Sequence, residues 1–164
     1  MQKNRELFAE QIYCIDSSAL INLHKYLPST SKEGALRPMW NTIESMSKEG
    51  RLISSVEVLR ELHDEDIRMW CKKNSMQFRP VDEEQSALFD EIQKHYTQET
   101  FRKKPSSTGA WADPILIALS KVEPAILVTD ENLTSSNGIP YIAKKLQVIT
   151  KTLPEFLNDI GHPL

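Results

Sequence analysis

The stretch Ala125-Ile126-Leu127-Val128-Thr129-Asp130-Glu131 decides the architecture. An apolar run without polar alternation reads as a strand covered on both faces, and such strands belong to parallel sheets flanked by helices. Just upstream, Asp113-Pro114 opens a segment in which Ile115, Leu116, Ile117, Ala118 and Leu119 follow one another. A helix of that composition has no polar face and has to be buried.

Working outward, residues 11–15 form a β-prone run ending at Asp16, and Ser17–Tyr26 then carries Leu20, Ile21 and Leu23 at helical spacing. Met39, Trp40, Ile43 and Met46 predict a helix that stops at Gly50. Residues 51–54 predict a brief strand, after which Ser55 caps one long helix running through Val56, Leu59, Leu62, Ile67 and Trp70 to about Asn74. Residues 82–102 predict another helix, broken by 103–109. A short helix at Ile139–Lys145, a last strand at 147–149 and a closing helix at 153–160 complete the chain. Strands alternating with helices imply right-handed crossovers and a three-layer α/β/α sandwich with a mostly parallel central sheet.

The 164 residues make one domain, with its core at about 11–160, since domains run to roughly 100–200 residues. Hydrophobic residues at 40% and charged residues at 26% match an ordinary globular protein rather than a disordered one. Lys plus Arg is 20 and Asp plus Glu is 23, so the net charge of −3 excludes a generally basic nucleic-acid wrapper, and any such contact is local. The first ten residues lack the apolar core of a secretory signal, and the longest apolar runs are too short to cross a bilayer. The expectation is a cytoplasmic protein outside the membrane. Cys14 and Cys71 are too few for a disulfide framework or a thiolate zinc site and read as buried thiols.

Ligands of open parallel sheets bind outside the carboxyl ends of the strands. Two predicted strands end there in acids, at Asp16 and at Asp130-Glu131, while Asp113 sits at the mouth of the buried helix. On the predicted long helix, Glu57, Glu61 and Glu65 stand at i, i+4 spacing, where like charges cost about 0.2–0.5 kcal/mol per pair. At about 100° per residue Glu61 falls near the margin of the polar arc and can turn inward, whereas Asp66 falls on the apolar side and fits poorly. Converging carboxylates repel, so they are either partly protonated or neutralised by cations. Oxygen-only donors select Mg²⁺ or Mn²⁺, one or two ions of which suit phosphodiester hydrolysis. Each acid also has a plain structural reading. Asp113-Pro114 is a common helix start, Asp16 a helix cap, the glutamates a solvated face, and Asp130-Glu131 a polar turn.

Taken together, Tyr13-Cys14-Ile15-Asp16-Ser17-Ser18-Ala19-Leu20-Ile21, residues 56–62 with Glu61, Ala112-Asp113-Pro114-Ile115-Leu116-Ile117-Ala118-Leu119 and Leu127-Val128-Thr129-Asp130-Glu131 resemble a PIN domain. The likeness extends to VapC-like toxins and to a related bacterial PIN-like branch that shares tryptophans such as Trp40 and Trp70. It implies that Asp16, Glu61 and Asp113 are metal-binding acids, with Glu131 the fourth and Asp130 a second candidate for that place. A Glu at 131 departs from the family's commoner Asp. Ser18 and Thr129 match hydroxyls that support the acids. The resemblance implies a Mg²⁺- or Mn²⁺-dependent endoribonuclease, with water as attacking group, that leaves 3′-hydroxyl and 5′-phosphate ends. It also implies an RNA substrate, a cognate antitoxin protein and a homodimer. Arg102, Lys103 and Lys104, or Lys72 and Lys73, are candidate contacts to the RNA backbone.

Other classes fit less well. A haloacid-dehalogenase-type phosphatase needs an Asp where Ser18 stands, and a receiver domain needs an acidic pair before its phosphoacceptor. The four histidines show no zinc-ligand spacing, and no Walker A loop is present. The competing reading is a PIN-fold binding module without turnover.

Overall fold

The structure, a computed structural model, describes residues 11–28, 34–95, 112–131 and 138–164. Five strands form one all-parallel sheet: β1 (Tyr13–Ile15), β2 (Leu52–Ser55), β3 (Gln77–Arg79), β4 (Ile126–Val128) and β5 (Thr150–Lys151). Their order is β3-β2-β1-β4-β5. The first three strands step outward in one direction, then the chain returns to place β4 on the other side of β1. The topological switch point therefore lies between β1 and β4, which pair Tyr13 with Ile126 and Ile15 with Val128.

Helices α1 (Ser17–Tyr26) and α2 (Arg37–Lys48) link β1 to β2, and α3 (Val56–Glu61) and α4 (Glu65–Lys73) link β2 to β3. Residues between β3 and β4 include α5 (Glu83–His95) and the buried α6 (Asp113–Val122). Between β4 and β5 lies α7 (Ile139–Lys145), and α8 (Leu153–Asp159) closes the described chain. Successive side chains of a strand point to opposite faces. Tyr13 meets Phe156 of α8 edge-on, with ring centroids 4.9 Å apart, whereas the Cys14 thiol faces Ser120 of α6 on the other side. Helices thus cover both faces of the sheet, giving an α/β/α sandwich consistent with the PIN-like fold class read from the sequence. Trp40, the bulkiest fully buried side chain among the described residues, donates its indole N–H to the Leu27 carbonyl at 2.9 Å and packs against His24 and Trp70.

Three expectations need correction. The single helix predicted from Ser55 to Asn74 is two helices, broken at Leu62-His63-Asp64. Asp64 caps α4 by accepting from the Asp66 and Ile67 amides, and Arg68 donates to the Leu59 and Leu62 carbonyls at 2.6 and 2.9 Å. The break is thus closed by polar side chains instead of Gly or Pro, and the poorly fitting Asp66 becomes a first-turn acid of a new helix, its natural position. Strand β3 carries a single apolar residue, Phe78, and the periodicity misses it. The last strand begins at Thr150 rather than Gln147, because Gln147 takes a left-handed φ of 61° and the next residue, Val148, donates its amide back to Ala143. The C-terminal part of the predicted 82–102 helix lies outside the described residues. Among the described residues, no helix is long and apolar enough to cross a membrane.

Candidate active site at the sheet switch point

Asp16 follows the last residue of central strand β1 and is 3% exposed. Its amide donates to the Val128 carbonyl at 3.0 Å, tying it to the end of β4. One carboxylate oxygen caps α1, accepting the Ala19 N–H at 2.8 Å and the Ser18 hydroxyl at 2.8 Å. The other accepts the Thr129 hydroxyl at 2.5 Å. Both the capping and the chemical reading of Asp16 therefore apply to one side chain. Burial pushes its carboxyl up to about 6, against the opposing effect of the Thr129, Ala19 and Ser18 hydrogen bonds, and the negative charge of Glu131 pushes the same way as burial.

Glu131 is held across the switch point. Its amide donates to Thr129 Oγ1 at 3.2 Å, and Oε2 accepts the Ile139 amide at the start of α7 at 2.7 Å. Asp130 is used differently. Oδ2 accepts from Asn22 Nδ2 at 2.9 Å and Oδ1 accepts from the Leu153 amide at 2.8 Å, so this carboxylate pins β4 to α1 and to the first turn of α8. Of the two candidates for the fourth acid, Glu131 is the one electrostatically coupled to Asp16.

Glu61 ends α3, where the unexpected break leaves it at a helix terminus. Oε2 accepts the Ser17 hydroxyl at 3.3 Å and Oε1 accepts the Ala112 amide at 3.2 Å. Its carboxyl is raised above the usual range, first by burial and then by the charges of Asp113 and Glu57, with the Ala112 and Ser17 bonds acting in opposition. Asp113 is the first residue of α6, after Ala112 at the cap position, with Pro114 following. Asp113 thus occupies the first helical turn rather than serving as the N-cap.

The predicted acids are therefore gathered as two coupled pairs, Asp16 with Glu131 and Glu61 with Asp113, joined through the adjacent Ser17. Among the described residues, no group of three or more His, Cys, Asp or Glu side chains is drawn close enough to hold a metal ion. The donor chemistry of the pairs nonetheless fits a hard divalent cation. The donors are carboxylate oxygens flanked by hydroxyls, and two of them are pushed toward protonation by burial and like charge, a cost that a cation removes. Arg102, Lys103 and Lys104 lie outside the described residues. Lys72 and Lys73 close α4 just before β3, at the amino edge of the sheet and away from the acids. The sequence reading overlooked Ser17, Asn22 and the Ala112 amide. Asn22 was detectable, because it lies four residues after Ser18 on the same helix face.

This geometry defines a class: a parallel α/β protein whose switch-point crevice is lined by buried and half-buried carboxylates. A family model described as Domain of unknown function (DUF4411) matches residues 13–162, and the chain belongs to that family. No curated protein matches the sequence.

Proposed function

We propose that the chain is a PIN-like, Mg²⁺- or Mn²⁺-dependent endoribonuclease acting in the cytoplasm. The observation that carries this reading is the arrival of Asp16 and Glu131 at the crevice between β1 and β4, with Ser17 linking Asp16's neighbourhood to Glu61 beside Asp113. Asp16, Glu61, Asp113 and Glu131 would hold one or two ions, which supply Lewis acidity and charge neutralisation at a phosphodiester when bound. Thr129 and Ser18 fix the Asp16 carboxylate through both of its oxygens, so it is oriented before substrate arrives. Asp130 holds the scaffold rather than the ion. An RNA strand is the substrate of this reading, and a cognate antitoxin and a homodimer are its expected partners.

A labelled RNA incubated with Mn²⁺ or Mg²⁺ tests it. Wild-type protein should leave 3′-hydroxyl and 5′-phosphate ends, and Glu61→Gln or Asp113→Asn should slow cleavage by about 100-fold or more, the scale of several kcal/mol of lost charge stabilisation. Cleavage without metal, or undiminished cleavage by both variants, would remove the hydrolase. A binding module without turnover is the second reading, and one observation favours it: the acids stand as pairs whose oxygens already accept protein hydrogen bonds. It predicts RNA retention with no metal-dependent product.

A further inference from the structure

The edge of the sheet at β5 carries a separate surface. A groove of about 950 Å³ runs between α7 and the approach to β5, bordered by Tyr141, Lys144, Lys145, Ile149 and Thr150. Tyr141 is 41% exposed and Ile149 62%, both large side chains left open to water. Lys145 extends its ammonium over the Tyr141 ring at 5.3 Å, which holds a positive charge at the rim. The residues lining the groove include two lysines and no acid.

The main chain is also available in a defined way. The carbonyls of Ile149 and Lys151 accept the amides of Leu127 in β4 and of Thr129 just after it. In a strand, alternate residues direct their N–H and C=O to opposite sides. Thr150 therefore turns its main-chain pair away from β4, toward the side on which no further strand pairs among the described residues, while the flanking Val148 and Thr152 amides are held by the Ala143 carbonyl and the Glu155 carboxylate. Edge strands are ordinarily protected against pairing, yet here an exposed Ile149 precedes the edge.

We propose that this edge is a docking site for an extended acidic segment of another protein, which pairs its main chain with Thr150 while its carboxylates meet Lys144 and Lys145 and its apolar side chains cover Ile149 and Tyr141. Main-chain pairing supplies affinity in such docking and side-chain contacts supply specificity. A second copy of this chain fits less well, because a two-fold axis beside β5 brings the lysines of both copies together. A nucleic acid offers no amide backbone to pair with Thr150. The groove lies where the chain enters β5, at the amino edge of the sheet, so it is distinct from the acidic crevice and does not depend on the proposed nuclease.

The probe is a short fluorescent peptide of alternating glutamate and valine, with three comparisons: a lysine–valine counterpart, the glutamate–valine peptide N-methylated at alternate residues, and a single-stranded oligouridylate. Anisotropy should show the acidic peptide binding the full chain, and the Lys144→Glu/Lys145→Glu double variant should bind about tenfold more weakly. Both lysines are exposed, and an unchanged melting temperature confirms that the variant folds. The N-methylated peptide keeps its charges and should lose binding, and amide exchange at Thr150 should slow only with the unmethylated acidic peptide. No binding of the acidic peptide, equal binding of the methylated or lysine peptide, or tighter lysine-dependent binding of the oligouridylate would overturn the proposal.

Discussion

Replacing Asp16 by Asn should stabilise the metal-free protein at neutral and alkaline pH, the reverse of the usual effect of altering a buried polar residue. Asn retains a carbonyl oxygen for the Ala19 amide and is as good a helix cap as Asp, so α1 keeps its start. What changes is the charge, together with the Thr129 contact, where the Asn amide becomes the donor and the hydroxyl the acceptor. The Asp16 carboxyl has a value of 3.8 when unperturbed and about 6 in the fold, where burial disfavours its ionised form. A carboxyl raised on folding favours the native state when protonated and opposes it when ionised. Its penalty is therefore small below the unfolded value, grows as pH rises through the interval from 3.8 to about 6, and is complete above it. The size of that shift corresponds to about 3 kcal/mol at full ionisation. Urea unfolding in the presence of a chelator should show the Asn variant gaining on wild type by about 2–3 kcal/mol between about pH 4 and about pH 8. Millimolar Mn²⁺ or Mg²⁺ should then narrow the difference by stabilising wild type alone. A stability difference that stays constant with pH, or that moves toward wild type as pH rises, would refute the argument from burial. An unchanged difference on adding metal would count against the cation while leaving the burial argument standing.

Further outcomes are expected elsewhere. Burial holds the His24 imidazole down at about 4 from an ordinary 6.5, with Asp64 opposing, so stability is fully present above 6.5 and falls as pH drops toward 4; His24→Phe should flatten that part of a pH–stability profile. Asp130→Ala strips the acceptor from Asn22 and Leu153 and should cost about 1–3 kcal/mol in denaturant unfolding. Glu131→Gln keeps an oxygen for the Ile139 amide and removes a negative charge that acts on Asp16, so it should leave the metal-free fold at least as stable in the same unfolding measurement yet abolish metal-dependent cleavage in the RNA assay. Arg68→Met keeps the aliphatic stem but uncovers the Leu59 and Leu62 carbonyls, and a loss of about 1–3 kcal/mol in the same unfolding measurement is expected.

Most of the layered architecture was legible because burial on both faces leaves continuous apolar runs. Leu127-Val128 and Leu116 to Leu119 read correctly for that reason. Polar side chains acting on the backbone were harder to read. Nothing in Leu62-His63-Asp64 breaks a helix by propensity, and only the awkward placement of Asp66 hinted that a new helix begins at Glu65. Asp16 and the Asp130-Glu131 pair stood out because topology sends strand ends to one edge of the sheet, whereas Glu61 and Asp113 were singled out by their helix positions and the set of four by the resemblance to a PIN domain. Their division into pairs could not be foreseen, since it depends on Ser17 and on a backbone amide at Ala112. The separation of duties between Asp130 and Glu131 was likewise hidden, because adjacent acids after a strand look alike until the helices they touch are in place.

One consequence reaches beyond this molecule. Because the carboxylate of Asp16 also starts the first helix, selection for foldability alone preserves Asp or Asn at that position. A relative lacking the proposed chemistry would keep a helix-capping residue at this landmark, while positions 61 and 113 drift. An Asn there would mark a scaffold kept for folding alone, whereas an Asp retained at a cost in stability together with Glu61 and Asp113 would be the better witness to the proposed chemistry.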